Sequence, residues 1–201
     1  MRAFWANLAV GKKLSFSFAL LVLLIIIVST LSILSLNEYN HRVSILKQAN
    51  TAEIALLSAE LKEKDFRISR DPSAMDDADT LLNETKSALS TLVELIERPE
   101  DLRLVEEIHT DVAAYEKLLE EYAVNISSNT EAVSVLEEQL FAAAKNAIEK
   151  TEQLKAREMG LMAERYNLTV VETVSGMIVA VAIGSIVAWT LTRTITRPVN
   201  E

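Results

Sequence analysis

Two uncharged runs bracket a long, charged middle. Leu14 to Leu36 carries no ionisable side chain, and neither does Thr173 to Thr192 over 20 residues. At about 1.5 Å rise per residue, either run is long enough for the roughly 30 Å hydrocarbon core of a bilayer. Between them apolar residues recur every three or four positions, the spacing of one helix face. Ile45, Ala49, Ala52, Leu56, Ala59 and Phe66 form one seam over 37–70. Leu46, Ile54, Leu57, Leu61 and Ile68 form a second seam beside it. Two adjacent seams make a face wider than one coiled-coil contact needs, which predicts a bundle core plus a further surface. Asp71-Pro72 breaks the pattern, because Asp caps helices well and Pro suits a first helical position. Met75, Ala78, Leu82, Thr85, Leu89, Leu92 and Ile96 predict a second helix over about 72–97. Pro99 opens a third, with Leu102, Val105, Ile108, Val112, Tyr115, Leu119, Tyr122 and Ile126 as its seam. Glu100 and Asp101 then sit in its first turn, where the helix dipole favours acids. Ser128 and Glu131 have capping-box spacing ahead of a fourth helix, which runs from about Asn129 into the second apolar run. Its line is Val133, Leu140, Ala147, Leu154, Leu161 and Leu168, with Lys150, Arg157 and Glu164 at the alternate positions.

Short turns between such helices imply antiparallel neighbours. The expected fold is all-α: a membrane-anchored, up-down-up-down four-helix bundle whose outer helices continue into two transmembrane helices. The expected divisions are a cytoplasmic N-terminus at 1–13, spans at 14–36 and 171–192, an extracytoplasmic bundle at 37–170, and a cytoplasmic exit at 193–201. With the membrane starting at Thr173 the fourth helix outruns the first, and starting it nearer Tyr166 repairs the mismatch. Glu172 then falls just inside the membrane edge, as a snorkelling side chain. A cleaved signal peptide is the competing reading of the first run. Its length and the lack of an Ala-x-Ala site before Asn37 favour an uncleaved span.

Charge orients the spans. Arg2, Lys12 and Lys13 precede the first and Arg193 and Arg197 follow the second, so the positive-inside rule puts both termini in the cytoplasm. Residues 37–172 hold 15 Lys+Arg against 28 Asp+Glu, a net −13 that accounts for the acidity of the whole chain at −9. Such a surface has no basic face to neutralise phosphates, which excludes nucleic acid as a partner. With no cysteine, thiolate catalysis, disulfides and Cys-ligated metals are excluded too. His41 and His109 are far apart and no His-Glu-x-x-His or Gly-rich phosphate loop occurs, so we expect no enzyme, cofactor or metal site. In the second run Gly176, Ala180, Gly184 and Ala188 repeat every fourth position, a small-residue stripe suited to close helix packing in a membrane. Ala142, Ala143, Ala144 and Ala147 make a similar patch in the fourth helix, expected to serve packing.

Several segments resemble bacterial methyl-accepting chemotaxis receptors. Asn7-Leu-Ala-Val-Gly-Lys-Lys-Leu-Ser-Phe-Ser-Phe18 is similar to the entry into their first span. Arg193-Thr-Ile-Thr-Arg-Pro198-Val resembles the start of a HAMP linker. Glu63 to Pro72 and Tyr115 to Tyr122 resemble parts of helical-bundle sensor domains, and some sensor histidine kinases share this layout. The external part is too short for the two-module version, so one four-helix module is expected. The resemblance implies a homodimeric membrane receptor for a small molecule (an organic acid, amino acid or amine). A cytoplasmic kinase and adaptor would be reached only through a signalling region expected beyond Glu201. Trp189, Arg193 and Pro198 would relay a 1–2 Å helix shift out of the second span. The resemblance also places ligands at the membrane-distal end, where Arg67, Arg70, Asp76, Asp77, Asp79, Tyr115 and Tyr122 are available. The arginines suit a carboxylate, the acids and tyrosines an amine. The rival from another class is a membrane-anchored scaffold that senses nothing.

Overall fold

The computed structural model describes residues 10–126 and 130–196, and they are almost wholly helical. Helix α1 is Val10–Ser69, α2 Pro72–Leu95, α3 Pro99–Asn125 and α4 Thr130–Thr196. They make an all-α up-down four-helix bundle whose first and last helices are long and apolar. α2 stops two residues short of the expected Glu97, because Ile96 turns extended (φ −85°, ψ 123°) ahead of Pro99. The chain divides into two compact units, Asn40–Met162 and Met1–Tyr39 with Ala163–Glu201.

In the unit Asn40–Met162 the turns follow from local chemistry. Asp71 is extended and its carboxylate accepts from the Ser73 N–H at 3.0 Å, so it caps α2 with Pro72 at the first helical position. That hydrogen bond holds the Asp71 carboxyl below its usual range. Arg70 adopts φ 58°, the left-handed conformation that closes α1, and its N–H donates to the Phe66 carbonyl at 2.9 Å. Arg98 precedes Pro99 in extended conformation and its carbonyl receives the N–H groups of Asp101 and Leu102. The expected capping box at Ser128 and Glu131 rests on a residue outside those described.

The seams bury as their spacing requires. Ala49, Ala52, Leu56 and Ala59 of α1 meet Ala78, Leu82, Leu89 and Leu92 of α2 and Val105, Ile108, Val112 and Leu119 of α3, all essentially without exposure. Helix α4 corrects the reading. Its buried line is Leu140, Ala144, Ala147, Thr151, Leu154 and Glu158, which advances by four and three residues. Lys150, Arg157 and Glu164 are off that line. The polar members of the α4 core are therefore Thr151, whose hydroxyl bonds the Ala147 carbonyl at 2.7 Å, and Glu158. The alanine patch packs, with Ala144 and Ala147 buried. On α1 the second seam stays uncovered, at Ile54, Leu57, Leu61 and Ile68, the last 85% exposed.

In the other unit each helix contains a window apolar enough to cross a bilayer, and none of either window is buried within the chain. A side chain at Gly176 would touch Val28 Cγ2 at 3.9 Å, so the small-residue stripe faces α1 at that level. Ala180 and Gly184 are half-covered, whereas Ala188 is exposed. Ser35 Oγ and Thr169 Oγ1 share a hydrogen bond of 2.7 Å, and Arg165 Nε donates to Glu38 Oε2 at 2.6 Å.

Candidate functional site

The core of the unit Asn40–Met162 is apolar through its middle and charged towards both ends. The distal end is the one that carries the α1–α2 turn. There Glu63 occupies the α1 seam between Ala59 and Phe66 and is 3% exposed. Among the described residues its partner is Arg67, on the next turn of the same helix, with Nη1 at 3.5 Å. Arg67 Nη2 reaches Glu137 Oε2 of α4 at 3.1 Å, and the Tyr122 hydroxyl of α3 donates to Glu137 Oε1 at 3.0 Å. Tyr115, one turn-pair earlier on α3, is 0% exposed and its hydroxyl has no hydrogen-bond partner among the described residues.

Burial sets the electrostatics here. Desolvation pushes the Glu63 carboxyl above the ordinary 4.5 and the nearby Glu60 adds to it, while Arg67 and Lys64 oppose. Burial likewise raises the Tyr115 hydroxyl, helped by the charges of Glu63 and Glu60. The Tyr122 hydroxyl is pushed up to about 12, first by burial and then by its bond to Glu137, with Arg67 and Arg70 pulling the other way.

Of the residues singled out in the sequence, the fold gathers Arg67, Tyr122 and Tyr115 with their acidic neighbours. Arg70 is exposed, though its charge still acts on Tyr122. Asp79 and Asp76 lie exposed on α2, and Asp77 pairs with Lys62 at 2.7 Å. Asp77 also lines a surface groove of about 320 Å³ with Lys62, Asp65, Ile68, Ser69, Asp71, Ser73 and Ala74. Glu63 and Glu137 were not foreseen. Glu63 had a signal: the 52, 56, 59, 66 seam skips 63, and the three-four alternation requires a core residue there.

The opposite end, the base, carries residues 40 and 162 and the α2–α3 turn. Asp101 is 0% exposed and lies between Arg98 Nε at 3.3 Å and Arg157 Nη1 at 3.4 Å. Its position in the first turn of α3 was read as a dipole effect, but the side chain is a core residue. Glu158 is 2% exposed and receives Arg42 Nη1 at 3.1 Å. Arg98 also grips Glu100 through Nε at 2.9 Å. Higher on α4, Lys155 pairs with Glu53 of α1, and Lys150 reaches Asp111 at 2.7 Å and Glu107 at 3.5 Å on α3. The ties of Arg157, Glu158, Lys155 and Lys150 each run between α4 and another helix.

Of the residues expected to relay a signal, Trp189 is exposed and the Arg193 backbone is helical; Pro198 lies outside the described residues.

The architecture is that of an up-down helical bundle between two long apolar helices. One solved structure shares it, described as the periplasmic sensor domain of a sensor histidine kinase. The match covers 67% of this chain and 94% of that one at 17% identity, with a TM-score of 0.60. At that identity the likeness is one of fold. No protein-family model and no curated protein matches the chain.

Proposed function

We propose that the chain is the sensory part of a two-span membrane receptor, with Asn40–Met162 outside the cytoplasmic membrane and both termini inside. The observation that carries this is the sensor-domain fold held between two apolar helices. Output through a histidine kinase has the stronger support, since the solved relative in fold belongs to one. Output to a chemotaxis kinase and adaptor rests on the resemblance at Asn7–Phe18 and Arg193–Val199 alone. The reading is of a sensor and not an enzyme, and the mutual contacts of Tyr122, Glu137 and Arg67 are consistent with it.

The receptor acts as a homodimer. The uncovered stripe of Ile54, Leu57, Leu61 and Ile68 on α1 supports this, because exposed branched residues at three-four spacing lower their free energy against a second helix. Two copies anchored in one membrane with the same orientation would present that stripe in parallel. Ligand at the distal end, an organic acid, amino acid or amine, would shift α4 and thereby Trp189, Arg193 and Pro198.

The test is a chimera in which residues 1–201 precede the cytoplasmic half of a histidine kinase, reconstituted in vesicles and screened against organic acids, amino acids, aromatic acids and polyamines. At least one class is expected to change autophosphorylation about 5-fold or more, the low end of allosteric coupling. A folded chimera that answers none of them, and whose output also ignores moving Trp189 by one residue, would support the scaffold reading instead.

A further inference from the structure

We infer that Glu63 and Tyr115 form an interior proton-binding site in the distal core, through which acidification acts on the sensor. This rests on the sensory reading and names one signal it receives. Glu63 is an acceptor short of donors: buried to 3% exposure, with one contact at 3.5 Å from its own helix. Tyr115, on helix α3 of the same core, carries a fully buried hydroxyl with no partner among the described residues and lies within the electrostatic reach of Glu63. A buried hydroxyl without a partner and a buried carboxylate with one long contact are each costly, since both have given up water.

A proton resolves the mismatch. Taken up by the Glu63 carboxylate, it gives a neutral carboxylic acid with one O–H donor and one carbonyl acceptor, both able to serve the Tyr115 hydroxyl. Because both groups are closed off from solvent, anything larger than a proton must first part the helices. The groups facing the site are few. Glu60, Lys64 and Arg67 lie on α1, with Lys64 bound to Glu60 at 2.6 Å. Tyr115 and Tyr122 lie on α3 and Glu137 on α4, and the buried residues of α2 are apolar apart from Thr85. Neutralising Glu63 loosens the hold on Arg67 within α1 and leaves its existing contact to Glu137 of α4 at 3.1 Å, while the new O–H donor gives α1 a tie to Tyr115 of α3.

Infrared difference spectra of the full chain in lipid nanodiscs, between pH 7.5 and pH 5, read this directly. The expected result is a protonated-carboxyl band that is lost in Glu63→Gln and shifted in Tyr115→Phe, which removes only its hydrogen-bond partner. A spectrum unchanged in Glu63→Gln overturns the site, even if organic ligands still drive the kinase chimera. A band lost in Glu63→Gln but unmoved in Tyr115→Phe overturns the pairing with Tyr115. Should Glu63→Gln fail to fold, the Tyr115→Phe comparison alone decides the pairing.

Discussion

The distal end and the base of the bundle bury the same kind of group and treat it differently. At the base, Asp101 and Glu158 give up water but gain arginines from other helices: Arg157 at 3.4 Å and Arg42 at 3.1 Å. At the distal end Glu63 has one long contact from its own helix. A buried charge is tolerable when an opposite charge accompanies it, and removing that partner costs far more than the pair contributed. The base is therefore a clasp, in which a shift of α4 breaks pairs between helices, although Asp101 Oδ2 makes no hydrogen bond of its own among the described residues. The distal end is poised, because burial works against the charge of its acid and the one cation beside it is on the same helix. The bundle is thus held more firmly at its base than at its distal end, a difference that the proposed sensor could use.

The largest expected effect separates the two ends. Arg42→Ala strands Glu158 in the core and should lower the unfolding free energy by about 3 kcal/mol, the low end for a broken buried pair because Arg42 is one-fifth exposed. Arg67→Ala should cost about 1 kcal/mol or less, since Arg67 is a third exposed and Glu63 can take a proton instead. Denaturant titration of the full chain measures both, and equal costs would erase the distinction.

The two tyrosines sharpen it further. Tyr122→Phe removes a bonded hydroxyl and leaves Glu137 short, for a loss of about 1 kcal/mol. Tyr115→Phe removes an unpartnered one and should be neutral or stabilising by up to about 1 kcal/mol. A matching loss from both would show that the Tyr115 hydroxyl has a partner after all. Smaller again is Arg70→Gly. Relief of the left-handed backbone at φ 58° should stabilise by about 1 kcal/mol, less the extra chain entropy of glycine. A fall in melting temperature would mean that the Arg70 side chain contributes more than its backbone costs.

Acid and base act oppositely on the two kinds of carboxyl. Glu63 has its folded value raised above 4.5, so its burial penalty is full above that folded value and is relieved as pH falls through it towards 4.5, with no further change below. Asp71 has its folded value lowered, so its contribution is present above 3.8 and is lost as pH falls through the folded value. Melting temperature against pH should thus rise on mild acidification through Glu63 and fall on strong acidification through Asp71. Removing Glu63 should abolish only the rise.

What the sequence made legible is what periodicity and backbone chemistry control. The seams of α1, α2 and α3 bury as their spacing demands, and Asp71-Pro72 stops one helix and caps the next because those residues allow little else. The charged core was illegible for two reasons. Glu63, Asp101 and Glu158 occupy core positions against the rule that charges stay outside, so reading by residue type passes over them. Their partners are also remote in the chain: Arg42 and Glu158 are 116 residues apart, and nothing local announces the pair. On α4 the assumption of a strict three-residue step chose Lys150 and Arg157, when packing uses the four-residue step to Thr151 and Glu158. Among the ligand candidates, Arg67 and the tyrosines were recognisable as distal, but that Arg67 is already bound by two carboxylates depends on the third dimension.

The most direct test is a pair of neutral isosteres, Glu63→Gln and Glu158→Gln, compared for thermal stability in the full chain at pH 7.5. The account expects opposite signs. Glu63→Gln removes a charge that nothing adequately compensates and should raise the melting temperature, whereas Glu158→Gln breaks the clasp to Arg42 and should lower it. Two decreases of similar size would contradict it, showing the distal acid to be as well held as the basal one.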